Sequence, residues 1–208
     1  MRDRSAASVS EFVRSALSPP PARVLEVGAG QGELASELAA AGYDVVAVDP
    51  AGEADNVLPI PLLDLDAPPA GFDAAVAVVS LHHVEPLEQS CAHLAALVRP
   101  GGRLVVDEFD VDAFDERAAG WWNRRRRELG REEHGDEAAT VADLRDHLHS
   151  IERIRAALAP AFELSAPERG PYLHRWDLEP ELQQPEEDAI ARSEIHAVGV
   201  RFTGRRRP

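Results

Sequence analysis

The sequence has no lysine: all 22 of its basic side chains are arginine, set against 37 acidic ones. A formal charge of -15 disfavours any surface that must follow a nucleic-acid backbone, because such binding rests on neutralising phosphates. Anionic membranes are disfavoured for the same reason. The missing lysine accompanies heavy use of Ala, Pro and Glu, a compositional bias from which no function follows. The single cysteine, Cys91, excludes a disulfide within the chain. In "LEQSCAHLAALV" it shares a helix face with Leu87, Leu94 and Val98, so it reads as core rather than as a nucleophile. No apolar run approaches the roughly 20 residues needed to cross a bilayer, and the start "MRDRSAASVSEFVRSALSPPPAR" lacks a signal peptide's apolar centre and cleavage pattern. The expectation is a cytoplasmic protein. No His, Cys and Asp group shows metal-ligand spacing; His147 and His149 sit two apart amid acids, and no metal is expected there.

What is present is an alternation of strand-like and helix-like segments in a chain of 208 residues, long enough for one continuous core. "ARVLEV" reads as a buried strand, and "GELASELAAAGY" as a helix whose Leu34, Leu38 and Ala41 recur at helical steps until Gly42 stops it. "DVVAVD" is a second strand, and "NVLPIPLL" a weak third because two prolines each remove a ladder donor. "FDAAVAVVS" is a fourth, "PLEQSCAHLAALV" a helix closed by "RPGG", and "GRLVVDEF" a fifth. Continuous apolar strands separated by helices imply an open α/β sheet, parallel and covered on both faces.

The second half reads differently. Phe109 to His149 is charged and mostly helical, and "SIERIRAALAPAF" is an amphipathic helix with Ile151, Ile154 and Leu158 on one face. "FELSAPE" and "HAVGVRFTG" read as a last, antiparallel pair of strands, separated by the acidic helical "LEPELQQPEEDAIARSEI". The terminal "GRRRP" is expected to fray.

"VLEVGAGQG" places three alternating glycines directly after the first strand. Dinucleotide sites want G-x-G-x-x-G, with pyrophosphate at the helix N-terminus. Here the spacing is Gly28, Gly30, Gly32, and Glu33 holds the position of the third glycine. A carboxylate in the first helical turn repels a pyrophosphate where the helix dipole should attract it. With Glu26 on the other side of the loop, the arrangement suits a ligand carrying positive charge, such as a sulfonium and an α-ammonium group.

With these residues in view the sequence resembles the class I S-adenosylmethionine-dependent methyltransferases. The resemblance runs from Val24 to Val106: the loop "EVGAGQG", the acid of "VVAVDP", the aspartate of "LLDLDAPP", the strand and loop "GFDAAVAVVSLHHV", and the turn "LVRPGGRLVV". It implies a Rossmann-like, doubly wound, mostly parallel seven-stranded sheet with an antiparallel last strand. It also implies one domain over 1–208: an N-terminal helix and Pro-rich lead-in over 1–22, a cofactor-binding core over 23–108, a helical cover over 109–149, and the C-terminal part of the sheet over 150–208.

The resemblance also assigns roles toward S-adenosylmethionine. Asp49, followed by Pro50, would accept both ribose hydroxyls; its alternative role is that of a turn former. Asp64 would accept the adenine amino group and the Leu65 N–H would meet the ring, with Asp66 as a competing position. Glu26 and the backbone of Gly28, Ala29 and Gly30, with Gly32 behind them, would hold the methionine portion. Ser80 and Leu81 would line the reactive end. Only "PAGEADN" separates the second strand from the third, too short for the usual crossover helix, which is expected to be missing or reduced to a turn.

Methyl transfer from a sulfonium mainly needs alignment and exclusion of water. His82 and His83 of "SLHHVEP" are candidates for a base; the alternative is that one fixes the loop and the other faces solvent. Trp121 and Trp122 of "GWWNRRRREL" would wall a substrate or pack the cover, and Tyr172 and His174 of "RGPYLHRW" stand between a pocket role and sheet packing. Arg124 to Arg127 read as a solvated face paired with Glu128, Glu132 and Glu133. The expected function is methyl transfer to O or N of a small molecule, without nucleic-acid or membrane partners. The alternatives are a relative that binds the cofactor without methylating and a protein methyltransferase; nothing in the sequence assigns an oligomeric state.

Overall fold

The structure, a computed structural model, describes residues 8–132 and 135–208. Seven strands form one mixed sheet: β1 (Arg23–Val27), β2 (Asp44–Val48), β3 (Phe72–Val78), β4 (Val98–Phe109), β5 (Phe162–Leu164), β6 (Glu168–Gly170) and β7 (Gly199–Arg206). Their order is β2, β1, β3, β4, β7, β5, with β6 also on β7. β2, β1, β3 and β4 run parallel, and β7 runs antiparallel to β4, β5 and β6. Chain order reverses direction beside β1, so the loops leaving β1 and β3 part there and open a crevice at the carboxyl ends.

Seven described helices surround the sheet: α1 (Val9–Ala16), α2 (Glu33–Ala40), α3 (Leu87–Leu97), α4 (Glu116–Glu128), α5 (Glu137–His147), α6 (Ile151–Leu158) and α7 (Gln183–Ala191). Successive strand residues point to opposite faces. Leu25, Val27, Ala75 and Ala77 therefore meet Leu94 of α3 and Ile154 and Leu158 of α6. Val24, Val76 and Val105 meet Val13 of α1 and Leu38 of α2. Side-chain caps start the helices that leave loops: Ser8 and Glu11 form a capping box on α1, while Asp115, Asp136 and Ser150 cap α4, α5 and α6. No described helix is long and apolar enough to cross a membrane.

Three expectations need correction. "NVLPIPLL" makes no strand: a single bridge joins Val48 to Leu58, after which Pro59 and Pro61 offer no N–H and the chain tightens into a 3-10 turn over Leu62–Asp64. The count of seven is reached because the segment after α6 divides into β5 and β6. The terminal arginines do not fray, since β7 continues to Arg206, whose guanidinium donates to the carbonyls of Ala95 and Ala161. As expected, no helix joins β2 to Leu58. Cys91 is buried and its thiol is pushed up to about 12 by that burial, consistent with a core role.

Candidate functional site

All three loop glycines have positive φ, +70° at Gly28, +54° at Gly30 and +72° at Gly32, which L side chains adopt only with strain. Their neighbours differ. A Cβ on Gly28 would fall 2.2 Å from Ser80 Cβ, and one on Gly32 would fall 2.4 Å from Asn56 Oδ1. At Gly30 nothing lies within 4 Å. Two glycines thus admit the protein's own side chains, whereas Gly30 faces open space.

Two cavities reach Gly28. The first, about 390 Å³, is lined by Asp49 and Pro50 after β2, by Leu62 and Leu63 of the 3-10 turn, and by Ser80, His83 and Glu85 after β3. The second, also about 390 Å³, is lined by Glu26, Ala29, Gly30, Glu33 and Glu37, with Val9 and Ser10 of α1 above them. Among the described residues no arginine lines either cavity. Glu26 is 3% exposed, and its Oε2 is buried without a hydrogen-bond partner. Burial with no compensating charge raises its pKa to about 7. The Ser80 hydroxyl on the wall of the first cavity is likewise buried and unpartnered. A ligand offering a cation to Glu26 and polar atoms to Ser80 would satisfy both.

Asp49 links the loops. Its Oδ2 accepts the Gly30 N–H at 2.9 Å and its Oδ1 accepts the Ala51 N–H at 2.8 Å. It is therefore a turn former that also stands at the cavity, with further lone pairs on each oxygen for a hydroxyl.

Several sequence-assigned residues lie elsewhere. The 3-10 turn rotates Leu62 and Leu63 onto the cavity wall and leaves Asp64 exposed, while the Leu65 N–H is already donated to the Leu62 carbonyl at 3.2 Å. Leu81 is fully buried behind Ser80 and belongs to the core. Gly32 caps α2 and lines neither cavity. Trp121 and Trp122, each 1% exposed, pack with Phe109, Phe114, Tyr172 and Trp176, away from both cavities. Trp122 stacks on Trp176 at 4.2 Å and donates its indole N–H to the Trp176 carbonyl at 2.7 Å. Tyr172 packs against Phe109, and His174 is held by Glu186 at 2.8 Å. Bulky aromatics placed between the cover and the sheet end serve as its core.

The arginine run divides. Arg125 pairs with Glu128, while Arg126 pairs with Asp177, donates to the Glu132 carbonyl and lies over the Trp122 ring. Glu133 and residues 1–7 lie outside the described residues. Exposed His147 contacts Asp143; buried His149 contacts the Val84 carbonyl and Glu85. Among the described residues no group of three or more His, Cys, Asp or Glu could hold a metal ion.

The two histidines after β3 have separate places. His82 is buried, with its Nδ1 2.5 Å from Glu108 Oε2, whereas His83 lines the first cavity. Partial burial, with smaller contributions from His82 and His149, lowers the His83 pKa from 6.5. Reading the sequence missed Glu108 and its neighbour Asp107, which receives Arg175 and Arg201 at 2.8 and 2.6 Å. The available signal was two acids ending an apolar strand in "LVVDEF".

A family model described as a methyltransferase domain matches residues 1–185. An uncharacterised methyltransferase of Mycobacterium tuberculosis is 37% identical over 98 residues, 41% of this chain and 50% of the relative. A ubiquinone biosynthesis O-methyltransferase of Xanthomonas axonopodis pv. citri is 36% identical over 111 residues, 46% of this chain and 46% of the relative. The chain thus spans about half the length of these curated relatives. The fold is shared with the crystal structure of Burkholderia thailandensis 1,6-didemethyltoxoflavin-N1-methyltransferase, which contains 1,6-didemethyltoxoflavin and S-adenosylhomocysteine. That likeness has a TM-score of 0.56 and 21% identity, and covers 90% of this chain and 72% of that one.

Proposed function

The chain belongs to the methyltransferase-domain family, class I by its sheet and its glycine loop, and we propose that it uses S-adenosylmethionine to methylate O or N of a small-molecule acceptor. The observation that carries this reading is Glu26: a buried carboxylate with an unpartnered oxygen beside Gly30, whose burial is offset by a cationic ligand. Glu26 and the backbone at Ala29 and Gly30 would hold the amino-acid end, and Asp49 would accept ribose hydroxyls while Pro50, Leu62 and Leu63 would enclose the adenosine side. When bound, the sulfonium supplies an activated methyl group. The chain's own part is to align an acceptor beyond Ser80, exclude water and receive a proton at His83, whose partial burial favours the neutral ring.

Cavities of about 390 Å³ are within the usual range for a bound cofactor. A small-molecule acceptor is supported by similar proteins named as a ubiquinone biosynthesis O-methyltransferase and a 1,6-didemethyltoxoflavin-N1-methyltransferase. Calorimetry with S-adenosylmethionine and S-adenosylhomocysteine tests the cofactor, with micromolar binding expected. Absent heat and absent thermal stabilisation at millimolar ligand would reject it. Turnover of labelled methyl donor against phenol, catechol and amine panels then tests transfer; binding without transfer to any of these classes would favour a non-methylating relative.

A further inference from the structure

Glu108, the penultimate residue of β4, is fully buried, and both its oxygens serve one turn. Oε1 accepts the Ser80 and Leu81 N–H groups at 2.9 and 2.6 Å. Oε2 lies 2.5 Å from His82 Nδ1 and accepts the Phe109 N–H at 3.3 Å. Oε1 is taken by two backbone N–H groups and a carboxylate oxygen accepts, so the His82 hydrogen on this side sits at Nδ1. The His82 carbonyl accepts the His149 N–H at 3.0 Å, which ties the turn to the loop between α5 and α6. The His83 ring lies against His82 with centroids 4.2 Å apart and planes tilted by 47°.

The device occurs a second time. Glu186 accepts the N–H groups of Tyr172, Leu173 and His174 and faces His174 Nδ1 at 2.8 Å. The leading residues of the two turns share a backbone conformation, φ -136° and ψ -41° at Ser80, φ -148° and ψ -35° at Tyr172. Both turns are therefore Leu-His segments clamped by a buried glutamate. Only the first presents its next residue, His83, to the cavity beside Gly28.

We infer that Glu108 is a positioning residue of the proposed methyl-transfer site: by fixing the turn and the His82 tautomer, it holds His83 where it takes the acceptor's O–H or N–H proton onto a ring nitrogen. The step balances: the acceptor's lone pair would form the bond to the methyl as the methyl–sulfur bond breaks, the pair of that bond would stay on sulfur in the departing thioether, and the acceptor's proton would pass to His83. Calling that proton the acceptor's rests on the methyl-transfer reading. The effect of Glu108 on the two rings does not.

The test is imidazole nitrogen NMR on the full chain with no ligand, following His82 and His83 through a pH titration. Charged or titratable groups close to His83 are His82, Glu108, Glu85, His149 and Arg153 behind it, so the same spectra follow the histidines among them. Native His82 should carry Nδ1–H. In Glu108→Gln the amide oxygen still accepts backbone N–H groups, but its NH2 faces the ring, so the His82 hydrogen should move to Nε2. In His82→Gln the amide still donates to Glu108 while the ring is gone, and the His83 midpoint should rise toward its ordinary value. Glu186→Gln should leave His82 and His83 unchanged. If Glu108→Gln fails to fold, His82→Gln and the native tautomer decide alone. Native His82 found as Nε2–H, or an unmoved His83 midpoint in His82→Gln, would overturn the inference even if S-adenosylmethionine binds. Absent cofactor binding with the expected spectra would instead overturn only the methyl-transfer reading.

Discussion

Gly28 and Ser80 approach so closely that a single added carbon on the glycine would lie 2.2 Å from the serine Cβ. The loop after β1 and the turn after β3 are thereby one packed unit, and the first cavity opens beside it. Gly28→Ala should both destabilise the fold and abolish cofactor binding. Gly30→Ala meets no neighbour and adds only the left-handed backbone cost, about 1–2 kcal/mol. It should therefore stay folded while losing affinity at least about tenfold, or about 1.4 kcal/mol. Thermal melts paired with calorimetry separate the two, and a Gly30→Ala protein with native affinity would mean that no ligand approaches that backbone.

Asp49→Ala removes the acceptor for ribose hydroxyls, each charge-assisted bond contributing roughly 1.5–3 kcal/mol. Affinity for S-adenosylhomocysteine should fall at least about tenfold. It also removes the bonds to Gly30 and Ala51, so Asp49→Asn, which keeps one acceptor oxygen for the turn, is the informative partner. Native affinity in both variants would leave Asp49 as a turn residue only.

Glu26 makes stability depend on pH. Its folded pKa of about 7 lies above the ordinary 4.5, so its favourable contribution is complete below pH 4.5 and is lost as pH rises through about 7. The full difference is on the order of 3 kcal/mol. Glu26→Gln should flatten the fall in melting temperature across that window. A bound cation lowers the Glu26 pKa, so S-adenosylmethionine binding near pH 6.5 should release a proton. Calorimetry in two buffers of different ionisation heat detects it; equal heats would show that Glu26 is already ionised or stays protonated.

Trp122→Ala deletes a fully buried ring stacked on Trp176 and should cost about 3–5 kcal/mol of stability. Because Trp122 lines neither cavity, cofactor affinity should stay within about threefold, the two sites using separate elements. Urea unfolding followed by calorimetry on the folded variant checks both, and a selective loss of affinity would show that the cover closes on the ligand.

What was legible in the sequence was local. Val24 to Gly32 carries strand, turn and helix start in nine residues, and Leu34 and Leu38 mark the helix face without help from the rest of the chain. The site beyond the loop depended on geometry that spacing does not carry. Asp64 and Leu65 do not line the cavity because Pro59 and Pro61 turn an expected strand into a 3-10 turn, which brings Leu62 and Leu63 to the wall instead. Trp121 and Trp122 were ambiguous because an aromatic pair suits a pocket wall and a core equally. The role of Glu108 was not legible, although its place at the end of an apolar strand was, because its partners, Ser80 to His82, lie 26 to 28 positions away along the chain.

The single Val48–Leu58 bridge also bears on how the molecule avoids its own kind. β2 is the outermost strand on its side of the sheet, and an open strand edge is a template for pairing with another chain. The Leu58 N–H donates to the Ala47 carbonyl at 2.8 Å and the Leu58 carbonyl accepts the Asp49 N–H at 3.1 Å, so the carboxyl half of that edge is occupied. The covering segment then continues through Pro59 and Pro61, which have no N–H with which to seed a further strand. The segment that fails as a strand therefore blocks edge-to-edge growth beside the cleft, and replacing these prolines would expose a pairing edge where copies of the chain could stack.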